Sequence, residues 1–246
     1  MCKYCEEVSV ASAPLARRNV LKFAGAAAAA LALSGAALAK ESKMAPPPKP
    51  QNVLSPDAAL DRLMHGNKRY VDGLTKRHNF AHEREALTKG QNPFAAVLGC
   101  ADSRIAAEFC FDTALGDVFV CRVAGNFAND DIVASLEYAV AVLKAPLIMV
   151  LGHDSCGAVD ATIKSIKDGT TLPGHLPELV SAIRPAVEAV KNQGGDMLAN
   201  AISSNVKLNV EKLQKSSPIL DAAVNGKTLR VVGSVYRLAS GKVDLI

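Results

Sequence analysis

The chain reads as an α/β fold: a mostly parallel central sheet flanked by helices, with an N-terminal helical arm. Three observations predict it. Two short apolar runs, Phe94-Ala-Ala-Val-Leu-Gly-Cys100 and Pro146-Leu-Ile-Met-Val-Leu-Gly-His153, are bounded by Gly and Pro, as buried parallel strands are. Between them, Asp130 to Lys144 places Ile132, Leu136, Ala139, Val140 and Leu143 on one helical face. Near the C-terminus, Leu229 to Leu238 is a third strand-like run. Strands alternating with helical segments build a parallel sheet through crossover connections, with helices on its faces.

The elements follow in order. Residues 1–39 form an export signal: the twin-arginine pattern Arg17-Arg18-Asn19-Val20-Leu21-Lys22, a small apolar stretch from Ala24 to Ala37, and an A-x-A cleavage site at Ala37-Leu38-Ala39. The stretch falls short of the roughly 20 residues a membrane span needs, so cleavage and release are expected in place of an uncleaved anchor. Cys2 and Cys5 would be discarded with it. Residues 40–54 are a linker whose Pro46-Pro47-Pro48-Lys49-Pro50 run resists compact structure. The folded domain spans 55–246. Ser55-Pro56 opens its first helix, with a capping hydroxyl and a proline where no amide is needed. Leu60, Leu63 and Met64 give that helix its apolar stripe, and Lys76 to Lys89 is expected as a loop with a short helix. Strands are predicted at 94–100, 117–123, 146–152 and 229–238. Helical segments are predicted near 107–113, over 130–144, from about Ser155, and over 176–193 and 195–215. A hairpin at Ser240-Gly241 leads into the last residues.

Composition excludes some functions. The formal charge is +4 for the whole chain and falls to +2 once residues 1–39 are removed. That is weak for a nucleic-acid binder, and no basic stripe with interleaved aromatics appears. The Gly152-x-x-x-x-Gly157 spacing lacks the Lys-Ser/Thr of a phosphate loop, no Gly-x-Gly-x-x-Gly follows a strand, and there is no Gly-x-Ser-x-Gly elbow.

Four cysteines remain in the mature chain: Cys100, Cys110, Cys121 and Cys156. Cys100 and the His153-x-x-Cys156 pair each follow a predicted strand, where open α/β sheets bind their ligands. Two thiolates and an imidazole are three zinc ligands, and three protein ligands with one open position is the arrangement of catalytic zinc. Twin-arginine export carries folded proteins, so the thiolates can be metal-bound before they meet an oxidising compartment. Cys110 and Cys121 read as small buried hydrophobes. Asp102 stands two residues from Cys100 and two from Arg104. It can pair with Arg104, leaving the metal open, or fill the fourth metal position. A purely structural ion pair is the other reading.

On these residues the chain resembles the β-class carbonic anhydrases from about Ser55 to its C-terminus. The matching stretches are Ala58–Leu60 with Gly66-Asn67-Lys68-Arg69-Tyr70, Gly90-Gln-Asn-Pro93, Cys100-Ala-Asp-Ser-Arg104, Gly116-Asp-Val-Phe-Val120, Arg122-Val-Ala-Gly-Asn126, Ser135-Leu-Glu-Tyr-Ala139 and Gly152-His-Asp-Ser-Cys-Gly-Ala158. The resemblance implies zinc on Cys100, His153 and Cys156, with Asp102 and Arg104 as a gating dyad and Asp102 as conditional fourth ligand. It further implies that Gln91 bonds substrate while Phe119 and Tyr138 line an apolar CO₂ pocket, with Gly157 at the substrate site. The site is expected at a dimer interface, so a homodimer or dimer-based assembly follows. The segment Ile105-Ala-Ala-Glu108 departs from the Pro-containing form common after the arginine. Without Trp, the Trp-containing bicarbonate effector site of some relatives has no support here.

The expected function is therefore reversible hydration of CO₂ to bicarbonate and a proton by hydroxide formed at zinc, in the periplasm, with no nucleic-acid partner and no membrane attachment after signal cleavage. Three alternatives stand beside it: hydrolysis of a related heterocumulene, CS₂ or COS, on the same fold; a non-catalytic zinc-binding regulatory protein; and a structural or redox cysteine module.

Overall fold

A computed structural model describes residues 54–88 and 90–246. The signal segment at 1–39 and the linker up to residue 53 lie outside the described residues. The elements are α1 (Pro56–Val71), α2 (Phe80–Leu87), β1 (Ala95–Gly99), α3 (Ala107–Cys110), β2 (Val118–Arg122), α4 (Asp130–Ala141), β3 (Leu147–His153), α5 (Gly157–Asp168), α6 (Leu176–Glu188), α7 (Met197–Gln214), α8 (Leu220–Asn225), β4 (Arg230–Tyr236) and β5 (Val243–Leu245). The strands form one sheet in the order β2-β1-β3-β4-β5, parallel throughout except for the antiparallel β4–β5 hairpin. The predicted class and the hairpin are both present.

Strand alternation sorts the core onto two faces. Ala95, Val97, Leu147, Met149 and Leu151 pack with Ala59, Leu60 and Leu63 of α1. Ala96, Leu98, Ile148 and Val150 pack on the other face with Leu136 and Ala139 of α4 and with Val206 and Leu213 of α7. Both central strands are buried along their whole length, which is why they read as unbroken apolar runs.

The start of α1 follows its sequence signal: the Ser55 hydroxyl accepts from the Ala58 amide at 3.1 Å, with Pro56 first in the helix. Gly66 lets α1 approach the segment after α3, because a Cβ there would fall 1.9 Å from the Phe111 carbonyl oxygen. Next to it, buried Asn67 donates to the carbonyls of Cys110 (2.9 Å) and Gly241 (2.8 Å) and accepts from the Val243 amide (2.9 Å). One side chain thus ties α1, α3 and the C-terminal hairpin together.

Several boundaries differ from those predicted. The helix expected over 130–144 ends at Ala141, because Lys144 adopts a left-handed φ of 60° before Pro146. The helix expected over 176–193 ends at Glu188, and the one expected over 195–215 starts at Met197 behind an Asp196 cap. The α8 helix was not predicted from the sequence; it is six residues long with no side-chain cap, so neither periodicity nor a capping residue announces it.

Candidate metal centre

Cys100 follows β1 and His153 ends β3, and these strands are parallel neighbours, with Gly99 opposite Leu151. Their carboxyl ends therefore deliver both residues to one place. The chain then turns through Ser155, whose φ of 52° lies in the left-handed region that non-glycine residues seldom occupy. This turn brings Cys156 back beside His153 as the N-cap of α5. Neither Asp154 nor Ser155 caps that helix, which has no side-chain cap. The Asp154 carboxylate instead accepts from the Leu238 amide at 3.0 Å, and its own amide donates to the Tyr236 carbonyl at 3.1 Å, fastening the turn to the end of β4.

The ligand atoms of Cys100, His153 and Cys156 all lie within 4.8 Å of one another, and all three residues are buried. The His153 Nδ1 is 2.8 Å from the Asp154 carbonyl oxygen. A carbonyl only accepts, so Nδ1 carries the proton and Nε2 presents a lone pair. That Nε2 is fully buried and has no hydrogen-bond partner. A buried polar atom left unpaired calls for an explanation. An sp² nitrogen lone pair facing two sulfurs is explained by a thiophilic, imidazole-binding cation, and a buried S₂N donor set fits zinc.

The sulfurs point the same way. The hydrogen bond from Cys156 holds the Cys100 thiol well below its ordinary range, with the Gly125 amide adding to it against the cost of burial. The same bond with Cys100, together with burial, pushes Cys156 up. Thiols lose their protons on binding a metal, so both sulfurs would hold zinc as thiolates. Cys110 and Cys121 differ: burial pushes the Cys110 thiol up to about 11 and raises that of Cys121 as well. Both are buried and free, as expected of small apolar fillers.

Asp102 and Arg104 stand at the rim. Arg104 donates from Nε to Asp102 Oδ1 at 2.9 Å and from Nη2 to Oδ2 at 2.7 Å, a bidentate fork. Its backbone amide adds a third bond to Oδ1, also at 2.9 Å. The Arg104 side chain, then burial acting the other way, and the Arg104 amide together hold the Asp102 carboxyl far below the usual range. Its Oδ2 nonetheless lies only 3.9 Å from His153 Nε2. Arg122 braces this turn from behind, donating to the carbonyls of Cys100 (2.9 Å) and Asp102 (2.7 Å).

The other expected site residues are placed differently. Gly157 is the exposed first residue of α5, next to Cys156. Phe119 and Tyr138 meet each other, with ring centroids 6.4 Å apart. Phe119 pairs in register with Ala96, well back from the donors, and Tyr138 is 47% exposed on α4. Gln91 is exposed and precedes β1, at the opposite end of that strand from Cys100. Within one chain these three are not brought to the donor cluster. Two cavities of about 680 and 730 Å³ have walls that include neither Cys100, His153 nor Cys156. Residues whose part in the site the sequence did not announce are Arg122 and Gly125, which lie in a stretch singled out only by resemblance, and Asn205, whose contact is long-range.

The carbonic anhydrase family model matches residues 95–243. A carbonic anhydrase of Mycolicibacterium smegmatis is 41% identical over 192 residues, covering 78% of this chain and 93% of that protein. Carbonic anhydrase 2 of Mycobacterium tuberculosis is 40% identical over the same shares. Among solved structures, the Coccomyxa β-carbonic anhydrase in complex with acetazolamide is 30% identical with a TM-score of 0.58, covering 76% of this chain and 86% of that one. A tetrameric β-carbonic anhydrase of Sordaria macrospora matches at a TM-score of 0.62 and 23% identity, over 76% of this chain and 96% of its own, which shows the fold. Family model, relatives and donor geometry agree: the chain belongs to the β-class carbonic anhydrase family.

Proposed function

We propose that this protein catalyses the reversible reaction CO₂ + H₂O ⇌ HCO₃⁻ + H⁺ at zinc held by Cys100, His153 and Cys156. The observation that carries the reading is the buried S₂N cluster with an unpartnered His153 Nε2, beside a carboxylate that Arg104 holds by both oxygens. Bound zinc supplies a Lewis acid that makes hydroxide available from water near neutral pH.

The chain's own residues do the rest. The Asp154 carbonyl fixes the His153 tautomer, and the β1 and β3 ends set the spacing of the donors. Two thiolates and a neutral imidazole balance a divalent charge, which softens the Lewis acid relative to three imidazoles. Arg104 holds both oxygens of Asp102, and a carboxylate released from that fork would stand close enough to His153 Nε2 to compete with water for a metal held there. The exposed amide end of α5 at Gly157 favours the anionic product. The proton passes to solvent or buffer.

The apolar substrate pocket is completed by a second copy of the chain. Gln91, Phe119 and Tyr138 lie away from their own chain's donors and are exposed or half-buried, so they are free to face a neighbour's. The assembly is a homodimer or is built from dimers. Export by the twin-arginine route to the periplasm rests on Arg17-Arg18 and Ala37-Leu38-Ala39.

A regulatory protein with a closed zinc site is disfavoured by the Arg104 fork on Asp102. Hydrolysis of CS₂ or COS needs the same donors. Stopped-flow assays of zinc-loaded mature protein with CO₂, COS and CS₂ separate the two: CO₂ hydration at the highest kcat/KM supports our reading, and turnover of COS or CS₂ with CO₂ left untouched overturns it.

A further inference from the structure

Helix α7 carries two buried asparagines, Asn205 and Asn209, one turn apart on a face otherwise made of Ala201, Ile202, Val206 and Leu213. Burying amides among aliphatic side chains costs free energy unless every polar atom is paired. Their bonds converge on one loop. Asn205 Nδ2 donates to the Gly125 carbonyl at 2.8 Å. Asn209 Oδ1 accepts from the Ala128 amide at 2.7 Å, and its Nδ2 donates back to the Asn205 carbonyl (2.8 Å) and Oδ1 (3.2 Å). Lys212, on the same face, donates to the Ala128 carbonyl.

That loop reaches the metal centre through a hydrogen bond. The Gly125 amide donates to Cys100 Sγ at 3.3 Å, a buried N–H···S bond. The conformation that aims it is not one the chain holds unaided. Gly125 and Asn126 both have positive φ, 82° and 41°, and a Cβ on residue 125 would come within 2.4 Å of Ile183 Cδ1. Glycine permits the geometry but does not enforce it. Enforcement falls to the side chain that grips the Gly125 carbonyl.

We propose that Asn205 is a positioning residue for the metal centre: with Asn209 behind it, it fixes Gly125 so that the amide of that residue hydrogen-bonds the Cys100 sulfur. The inference rests on Cys100 being a zinc ligand. An N–H···S bond draws charge from a thiolate and orients its lone pairs, so it tunes both metal affinity and the electron density the sulfur gives the metal. Partners at this remove typically change metal affinity by about 10–100-fold.

The test compares wild type, Asn205→Leu and Leu213→Ala, the last removing buried side-chain volume from the same helix while leaving every side chain that hydrogen-bonds the loop in place. Zinc affinity is measured by competition with a chromophoric chelator, and cobalt-substituted protein reports the sulfur-to-metal charge-transfer band. We expect Asn205→Leu to weaken zinc binding about 10–100-fold and to move the band to lower energy, with Leu213→Ala leaving both at wild-type values. Asn205→Leu matching Leu213→Ala in both readouts overturns the proposal. Should Asn205→Leu not fold, cadmium-113-loaded wild-type protein decides: scalar coupling between cadmium and the Gly125 amide proton supports it, and absence of that coupling overturns it. Wild-type protein that takes up no zinc overturns the metal reading and this inference with it, whereas normal zinc uptake with unchanged Asn205→Leu overturns this inference alone.

Discussion

Arg104 engages both carboxylate oxygens of Asp102, at 2.9 and 2.7 Å, while one of those oxygens stands 3.9 Å from His153 Nε2. The carboxylate is thus held beside the donor cluster by a residue that is not itself a donor. Arg104→Ala removes the restraint and leaves Cys100, His153 and Cys156 in place. CO₂ hydration should fall on the order of 10–100-fold while zinc content stays near that of wild type. The loss should be deepest in mildly acidic buffer, where hydroxide is scarce and the freed carboxylate, still ionised, competes best. Stopped-flow rates across pH beside metal analysis check this; wild-type rates at every pH would make the pair structural.

Asn67 holds three buried backbone groups that are far apart in sequence: Cys110 O, Gly241 O and Val243 N. Asn67→Leu is close in size but leaves all three without their partner. Each unpaired buried group costs about 1–3 kcal/mol, so a loss of about 3 kcal/mol or more is expected in urea unfolding. A midpoint unchanged from wild type would show that water or neighbouring groups satisfy them equally well.

The Asp112 carboxyl is held below its ordinary range: burial acts to raise it, and the Arg69 side chain and the Lys76 amide outweigh that. A depressed folded-state pKa contributes stability above the unfolded value and loses it as pH falls through the folded one. Stability should therefore decline from about pH 4 downward, the unfolded Asp value being about 3.9. Asp112→Asn should be less stable at neutral pH by about 2 kcal/mol and show a shallower acid limb. Equal acid limbs for the two proteins would remove Asp112 from the explanation.

The export proposal has its own test. Replacing Arg17 and Arg18 together by Lys should leave precursor in the cytoplasm, and the mature wild-type protein should begin at Lys40. Fractionation with N-terminal sequencing checks both, and mature protein beginning at Met1 would contradict them.

Much of the centre is legible in sequence because it lies where strong local signals end. Cys100 and His153 close the two apolar runs, and burial on both sheet faces makes those runs continuous. Asp102 and Arg104 are close enough to pair within one turn. What supports these residues is not legible. The Asn205 bond to Gly125 spans 80 residues, and nothing local distinguishes an asparagine that anchors a loop from one on a solvated helix face. The Ser155 turn is hidden for a different reason: its left-handed backbone runs against the residue's own preference and sits beside an Asp154 anchored to β4 by long-range bonds. Gln91, Phe119 and Tyr138 stand out through resemblance alone, since their own chain does not bring them to the donors.

The central claim is that CO₂ hydration depends on zinc held by Cys100, His153 and Cys156. Titrating zinc into metal-free mature protein while following CO₂ hydration by stopped flow tests it most directly. Activity should rise with added zinc and saturate at about one ion per chain, and Cys156→Ala should lose zinc and activity together. Full hydration by metal-free protein, or saturation with zinc and no hydration, would contradict the account.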